Sequence, residues 1–142
     1  MQAPLEVTIK AILDTNVIVS GIFWQGAPFE ILKAWQKRCF LLAVSLPILN
    51  EYRRVLDEMT KKRPSPVLGS ILEVIELHSE IVEPVSFTRT VCSDPDDDKF
   101  LEAALAADAD YVVSGDAALL SLKNHHGIRI VRPAQFLKLL PP

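Results

Sequence analysis

Residues 93–116 read SDPDDDKFLEAALAADADYVVSGD, and the fold turns on them. The stretch opens with four acids, Asp94, Asp96, Asp97 and Asp98, and continues as a small-residue helix to about Ala107. An apolar strand from Tyr111 to Ser114 follows, then Gly115 and Asp116. A strand after a helix, with an acid just past its C-terminal end, is where open α/β sheets place their chemistry. A second strand ending beside it with its own acid would build a carboxylate cluster. The first strand does so: Val7–Leu13 (VTIKAIL) is nearly continuous in apolar residues and is followed by Asp14. Such a run fits a strand covered on both faces, as in a parallel sheet.

Between these two pieces the pattern alternates. Val17–Ile22 is expected to start a helical turn that breaks near Gly21 or Gly26. Pro28 suits a first helical position, and Phe29, Ile31, Leu32 and Trp35 form a helical stripe. Cys39–Val44 reads as a second buried strand. Ser45 then caps a helix with Pro47 in its first turn and Ile48, Leu49, Tyr52, Val55, Leu56 and Met59 at helical spacing. Ser65-Pro66 opens another helix, carrying Val67, Ile71, Val74, Ile75 and His78. Ile81–Val85 is a short strand or extended link. Asp94 fits an N-cap, with Pro95 at the first helical position and Asp97 three residues on. Ile128–Val131 is a last strand, and Pro133 opens a helix to Leu140. This order predicts one α/β domain over residues 1–142, with a parallel sheet, right-handed crossovers and helices on both faces. The strands ending at Asp14 and Asp116 are expected to be central neighbours.

The bulk properties bound the function. A chain of 142 residues buries roughly 70% of its unfolded surface, enough for one core. A net charge of −3 argues against holding nucleic acid by bulk charge alone, but not against an acidic, metal-filled site with a local basic rim. Candidates for that rim include Arg53, Arg54, Lys61, Lys62, Arg63, Arg89, Lys99, Lys123, Arg129 and Arg132; singly, each reads as part of a solvated face. Cys39 and Cys92 lack CxxC spacing and read as reduced thiols in a cytosol. No signal-peptide core or membrane-spanning run is present, so a cytoplasmic protein is expected. His125 and His126 sit in a Gly-flanked loop and read as solvent-exposed, and no zinc spacing occurs. GxGxxG, GxSxG and phosphate-loop motifs are absent.

Taken singly, the acids have structural readings. Asp14 could cap a turn, Asp116 could be a turn residue after Gly115, Asp94 and Asp97 suit capping, and Glu51 could be a surface acid. A helical wheel sharpens this. With Ile48 at zero, Glu51 falls at about 300°, on the edge of the apolar arc. Glu58 has a similar direction but lies about 10 Å further along the helix. Only Glu51 stays level with Asp14. In the acidic run, Asp97 has Phe100, Leu101 and Ala104 on its side and is preferred as the inward acid. Asp98 lies nearer the solvent edge on this wheel and is a close second, because an error of one residue in the helix start would exchange them. Asp14, Glu51, Asp97 and Asp116 can then converge at one sheet edge. Converging carboxylates raise one another's pKa, which a hard cation such as Mg²⁺ or Mn²⁺ relieves while activating water and neutralising a phosphodiester. Asn16 and Ser114 are hydrogen bonders suited to support these acids.

The pieces LDTNVIVSG (13–21), SLPILNEYRRVL (45–56) and DPDDDKFLEAALAADADYVVSGDAALL (94–120) resemble the PIN-domain nuclease family. Within it they look most like the bacterial and archaeal proteins assigned to toxin–antitoxin systems, related to VapC-type ribonucleases. The resemblance implies a three-layer α/β/α fold with a central, mainly parallel sheet of about five strands. It also implies an endoribonuclease dependent on Mg²⁺ or Mn²⁺, with Asp14, Glu51, Asp97 and Asp116 as the acid quartet and Asp98 as the replacement for Asp97 in holding metal. A homodimer and a small antitoxin partner belong to the same expectation. The family commonly has Thr where Ser114 stands; Ser keeps the hydroxyl. The rival reading is a non-catalytic RNA- or protein-binding module with this fold, against which an intact, costly acid quartet argues. A haloacid-dehalogenase-type phosphatase would want Asp at residue 16, which is Asn, and the acid placement of a receiver domain is absent.

Overall fold

A computed structural model describes residues 8–64 and 68–141. Val7, and the Ser65-Pro66 helix start with Val67, lie outside the described residues. Among the described residues, six strands form one sheet: β1 (Lys10–Leu13), β2 (Leu41–Val44), β3 (Glu80–Ile81), β4 (Tyr111–Val113), β5 (Asn124–His125) and β6 (Ile128–Val131). Seven α-helices accompany them in the described residues: α1 (Thr15–Phe23), α2 (Ala27–Gln36), α3 (Leu46–Lys62), α4 (Leu68–His78), α5 (Asp98–Ala107), α6 (Ala117–Leu120) and α7 (Pro133–Leu139). The strand order is β3-β2-β1-β4-β6-β5. Every pairing is parallel except β5 with β6. The sheet is thus mainly parallel, as expected, with six strands in place of five. The added strand is β5, a two-residue antiparallel return too short to leave a periodic signal in the sequence.

β1 and β4 lie side by side at the centre, with Leu13 opposite Val113. The backbone N–H of Asp14 extends that ladder, donating to the Val113 carbonyl at 2.9 Å. Ile12, Leu13, Val112 and Val113 are fully buried, which is what a strand covered on both faces requires. Chain order runs outward from β1 through β2 to β3 and returns to β4 beside β1. The sheet therefore reverses direction between β1 and β4, the place where the C-terminal strand ends of an open sheet form a crevice.

The first helix does not break at Gly21. It runs to Phe23, and the chain turns at Gly26, whose φ of +131° needs a residue without a Cβ. Gly21 serves close packing instead: a Cβ there would lie 2.6 Å from Leu32 Cδ1 and 2.8 Å from the Pro28 carbonyl oxygen. Helices α1 and α2 pack at that point. Ser45 caps α3 through its Oγ, which accepts the Ile48 N–H at 3.4 Å. That cap and Pro47 start α3 at the end of β2, so its first turns lie level with the end of β1. Tyr52, fully buried on α3, donates its hydroxyl to the Leu13 carbonyl and ties this helix to the base of Asp14.

Candidate active site

Asp14 follows β1, and Asp116 follows β4 after two intervening residues. Because those strands are hydrogen-bonded neighbours, the two acids share one edge of the sheet. Ser114 links them. Its Oγ donates to Asp14 Oδ2 at 2.6 Å and accepts the Asp116 N–H at 2.9 Å. Asp116 Oδ2 in turn caps α6, accepting the Leu119 N–H at 3.2 Å. The turn reading of Asp116 is therefore true of one oxygen and does not exclude a further role for the other.

Asp14 is only 6% exposed. Burial raises its pKa, hydrogen bonds from Ser114 and the Thr15 N–H pull the other way, and the charges of Glu51 and Asp116 raise it further. Asp97 stands in the 3₁₀ turn Pro95–Asp97 that leads into α5. Asp94 caps that turn, accepting the Asp96 N–H at 3.0 Å. Asp97 makes no capping hydrogen bond of its own. Its pKa is pushed up to about 7, first by burial, then by the Asp116 carboxyl within hydrogen-bonding reach, and by the charges of Asp14 and Asp94. Asp116 thus acts on both Asp14 and Asp97, and Asp14 on Asp97, across three separate elements.

Glu51, half-buried in the second turn of α3, faces the same edge. Its Oε2 accepts the Thr15 hydroxyl, and its Oε1 accepts the Lys99 ammonium from α5. Arg54 Nη2 lies 3.9 Å from the same Oε1. Glu58, by contrast, is 62% exposed and meets Arg54 at 3.7 Å. The difference in height between the two glutamates is as the helical geometry predicts.

The reading of Asp98 as the acid nearer solvent is corrected. Asp98 is 8% exposed. Its carboxylate accepts the Cys92 N–H at 2.7 Å and the Val91 N–H at 3.0 Å. Although burial works against the charge, a hydrogen bond from the Cys92 thiol, followed by these two N–H bonds, holds its pKa below the ordinary aspartate value. The segment before the acidic run folds over this side of α5, and a helical wheel drawn from α5 alone has no knowledge of that cover. Asn16 is exposed; Ser114 is fully buried between the acids.

His126 is exposed as expected, but His125 differs from the sequence expectation. His125 is partly buried in β5, with its ring edge-on to Phe87 at 5.6 Å between centroids. Burial and His126 lower its pKa, while Asp98 raises it. Among the basic candidates, Lys99 and Arg54 touch Glu51, whereas Arg53 pairs with Glu76 at 2.6 Å and Arg63 lies over Trp24. Cys39 and Cys92 are free thiols. Two clefts elsewhere, lined by Trp35, Phe29 and Ile71 among others, include none of the acids.

Among the described residues, no three His, Cys, Asp or Glu groups are drawn closely enough to ligate one ion as they stand. Each acid is instead turned onto a local partner: Asp14 onto Ser114, Glu51 onto Thr15 and Lys99, Asp116 onto the α6 cap. In donor chemistry the set still fits a hard cation, since it offers carboxylate and hydroxyl oxygens alone. An ammonium already rests against Glu51.

The family model of the PIN domain matches residues 10–118. No curated protein sequence matches the chain. Among solved structures, the chain is similar to one in the crystal structure of VapBC2 from Rickettsia felis bound to a DNA fragment from their promoter. The likeness has a TM-score of 0.57 at 16% identity, covering 87% of this chain and 98% of that one. At that identity it bears on the fold alone.

Proposed function

Because this chain belongs to the PIN-domain family, we propose that it is an endoribonuclease dependent on Mg²⁺ or Mn²⁺, acting in the cytoplasm as the toxin of a toxin–antitoxin pair. The observation that carries the reading is the meeting of Asp14, Asp97 and Asp116 at the end of two adjacent central strands, with Glu51 facing them from α3. Burial and neighbouring charges raise the pKa of Asp14 and of Asp97, so ionising this cluster is unfavourable without a cation. Asp14, Asp97 and Asp116 would hold it, with Glu51 at the edge. Such an ion, when bound, supplies a lowered pKa for a bound water and neutralises charge on a phosphodiester.

The protein's own groups would do the rest. Ser114 keeps Asp14 aimed along the sheet edge and fixes the backbone of Asp116. Thr15 and Lys99 hold Glu51 by both oxygens, so its carboxylate is preset to orient the attacking water. In-line attack of that water on phosphorus would break the bond to the leaving oxygen; the water's proton would pass to a neighbouring carboxylate, and the leaving oxygen would take a proton from solvent. Asp98 is left out of this set because its carboxylate serves the loop. A homodimer and a small antitoxin partner accompany the reading; the likeness of fold to a chain of the VapBC2 complex supports the antitoxin.

The test is cleavage of a mixed RNA pool in EDTA, in Mg²⁺ and in Mn²⁺, comparing the wild type with Asp14→Asn. Metal-dependent cleavage that the variant lacks supports the reading. Absence of cleavage in every condition, together with undiminished RNA binding, would favour the binding-module reading.

A further inference from the structure

Lys99 is the one basic side chain that reaches into the acid cluster from the acidic run itself, two residues after Asp97. Its ammonium contacts Glu51 Oε1 and lies 3.2 Å from Asp96 Oδ2. The side chain is 16% exposed, against 70% for Asp96, so Glu51 is the enclosed partner and Asp96 the outer one. The other Glu51 oxygen accepts the Thr15 hydroxyl. Both oxygens of Glu51 therefore have fixed partners. Arg54 approaches the same carboxylate but is 62% exposed and shared with Glu58, so it is a weak, screened neighbour.

We propose that Lys99 is a resident cation: it occupies Glu51 and limits the acid cluster to a single divalent ion, held by Asp14, Asp97 and Asp116. The inference rests on the metal-dependent reading above and specifies it. The charge count agrees. Once a bound metal has ionised Asp97, the four carboxylates carry four formal negative charges, of which Lys99 and one divalent ion offset three. A lysine tethered to α5 is an intramolecular cation, with no translational entropy to lose on meeting Glu51. A second divalent ion would have to displace that ammonium and desolvate beside it, against like-charge repulsion. Lys99 is a positioning residue in this scheme, because it acts through Glu51.

Calorimetric titration of the full-length protein with Mn²⁺ alone tests this, with thermal melts confirming that each variant is folded. The wild type is expected to take up a single ion. Lys99→Met, which keeps the stem and removes the charge, is expected to gain a second. Lys99→Arg, which keeps the charge, is expected to hold one. Two ions in the wild type, or one in folded Lys99→Met, would overturn the inference while leaving the nuclease reading intact. No uptake by the wild type would overturn the metal-dependent reading itself, and the inference with it.

Discussion

Ser114 Oγ stands 2.6 Å from Asp14 Oδ2 and takes the Asp116 N–H with its lone pair, so one buried hydroxyl joins acids separated by 102 positions in the chain. The hydroxyl is fully enclosed, and no water can take its place without new space. Ser114→Ala leaves the Asp116 N–H and one Asp14 oxygen without that partner. Hydrogen bonds to charged groups contribute about 1.5–3 kcal/mol, and a loss on that order is expected in denaturant unfolding. Cleavage should fall as well. Ser114→Thr keeps the hydroxyl and should retain activity; a Thr variant as inactive as the Ala variant would show that the oxygen is not what matters.

Asp14→Asn and Asp116→Asn should each abolish cleavage and leave the fold intact. Burial and the charges of Glu51 and Asp116 disfavour ionised Asp14, so a neutral amide relieves repulsion that the metal-free protein otherwise bears. Melting temperatures measured in EDTA are therefore expected to be unchanged or higher in the variants. Full activity in either variant would remove that residue from the site.

The two glutamates of α3 provide an internal control. Glu51→Gln loses the charge that meets Lys99 and the acceptor strength that meets Thr15. Glu58→Gln loses a contact with Arg54 on the surface, worth about 0–1 kcal/mol. Steady-state cleavage should drop strongly for Glu51→Gln and stay near wild type for Glu58→Gln. The reverse order would place the wrong turn of α3 at the sheet edge.

Much of this arrangement was legible in the residues. The acids at the ends of two apolar runs gave the sheet edge, and 1.5 Å of rise per residue separated Glu51 from Glu58. What was not legible depends on segments that fold back from elsewhere. Asp98 reads as outward on its own helix, yet Val91 and Cys92 cover it. His125 reads as an exposed loop residue, yet it forms β5 and meets Phe87. Gly21 reads as a helix breaker, yet Leu32 and Pro28 press against it. In each case a tertiary contact overrides a local preference that was itself correctly assessed.

Neighbouring residues Asp97 and Asp98 should fail in opposite ways. Asp98→Ala removes the acceptor for two loop N–H groups, and unsatisfied buried donors cost about 1–3 kcal/mol each. Loss of stability and faster amide exchange at Val91 and Cys92 are expected. Asp97 makes no capping hydrogen bond, so Asp97→Ala should be mild in stability but should weaken Mn²⁺ uptake. Calorimetry and hydrogen exchange on both variants read the two effects separately. Equal loss of Mn²⁺ affinity in both would return Asp98 to the metal-holding set.

Asp97 also sets an expected pH dependence in the metal-free protein. Its pKa is pushed from the ordinary 3.8 to about 7, so between those values the folded chain binds a proton that the unfolded chain has lost. Stability from this group is accordingly present at low pH and declines as pH rises through the window, reaching its full cost above the folded value. Other carboxylates titrate as well, which makes the difference between wild type and Asp97→Asn the informative quantity. In EDTA, Asp97→Asn should gain stability relative to wild type as pH rises from about 4 to 7, because the amide has no charge to bury. Adding Mn²⁺ to the wild type should reduce that gap near neutral pH, since a cation bound only by the folded state stabilises it by mass action. Melting curves across this range, with and without Mn²⁺, check both parts; a gap independent of pH would mean that Asp97 is not held at a raised pKa by its neighbours.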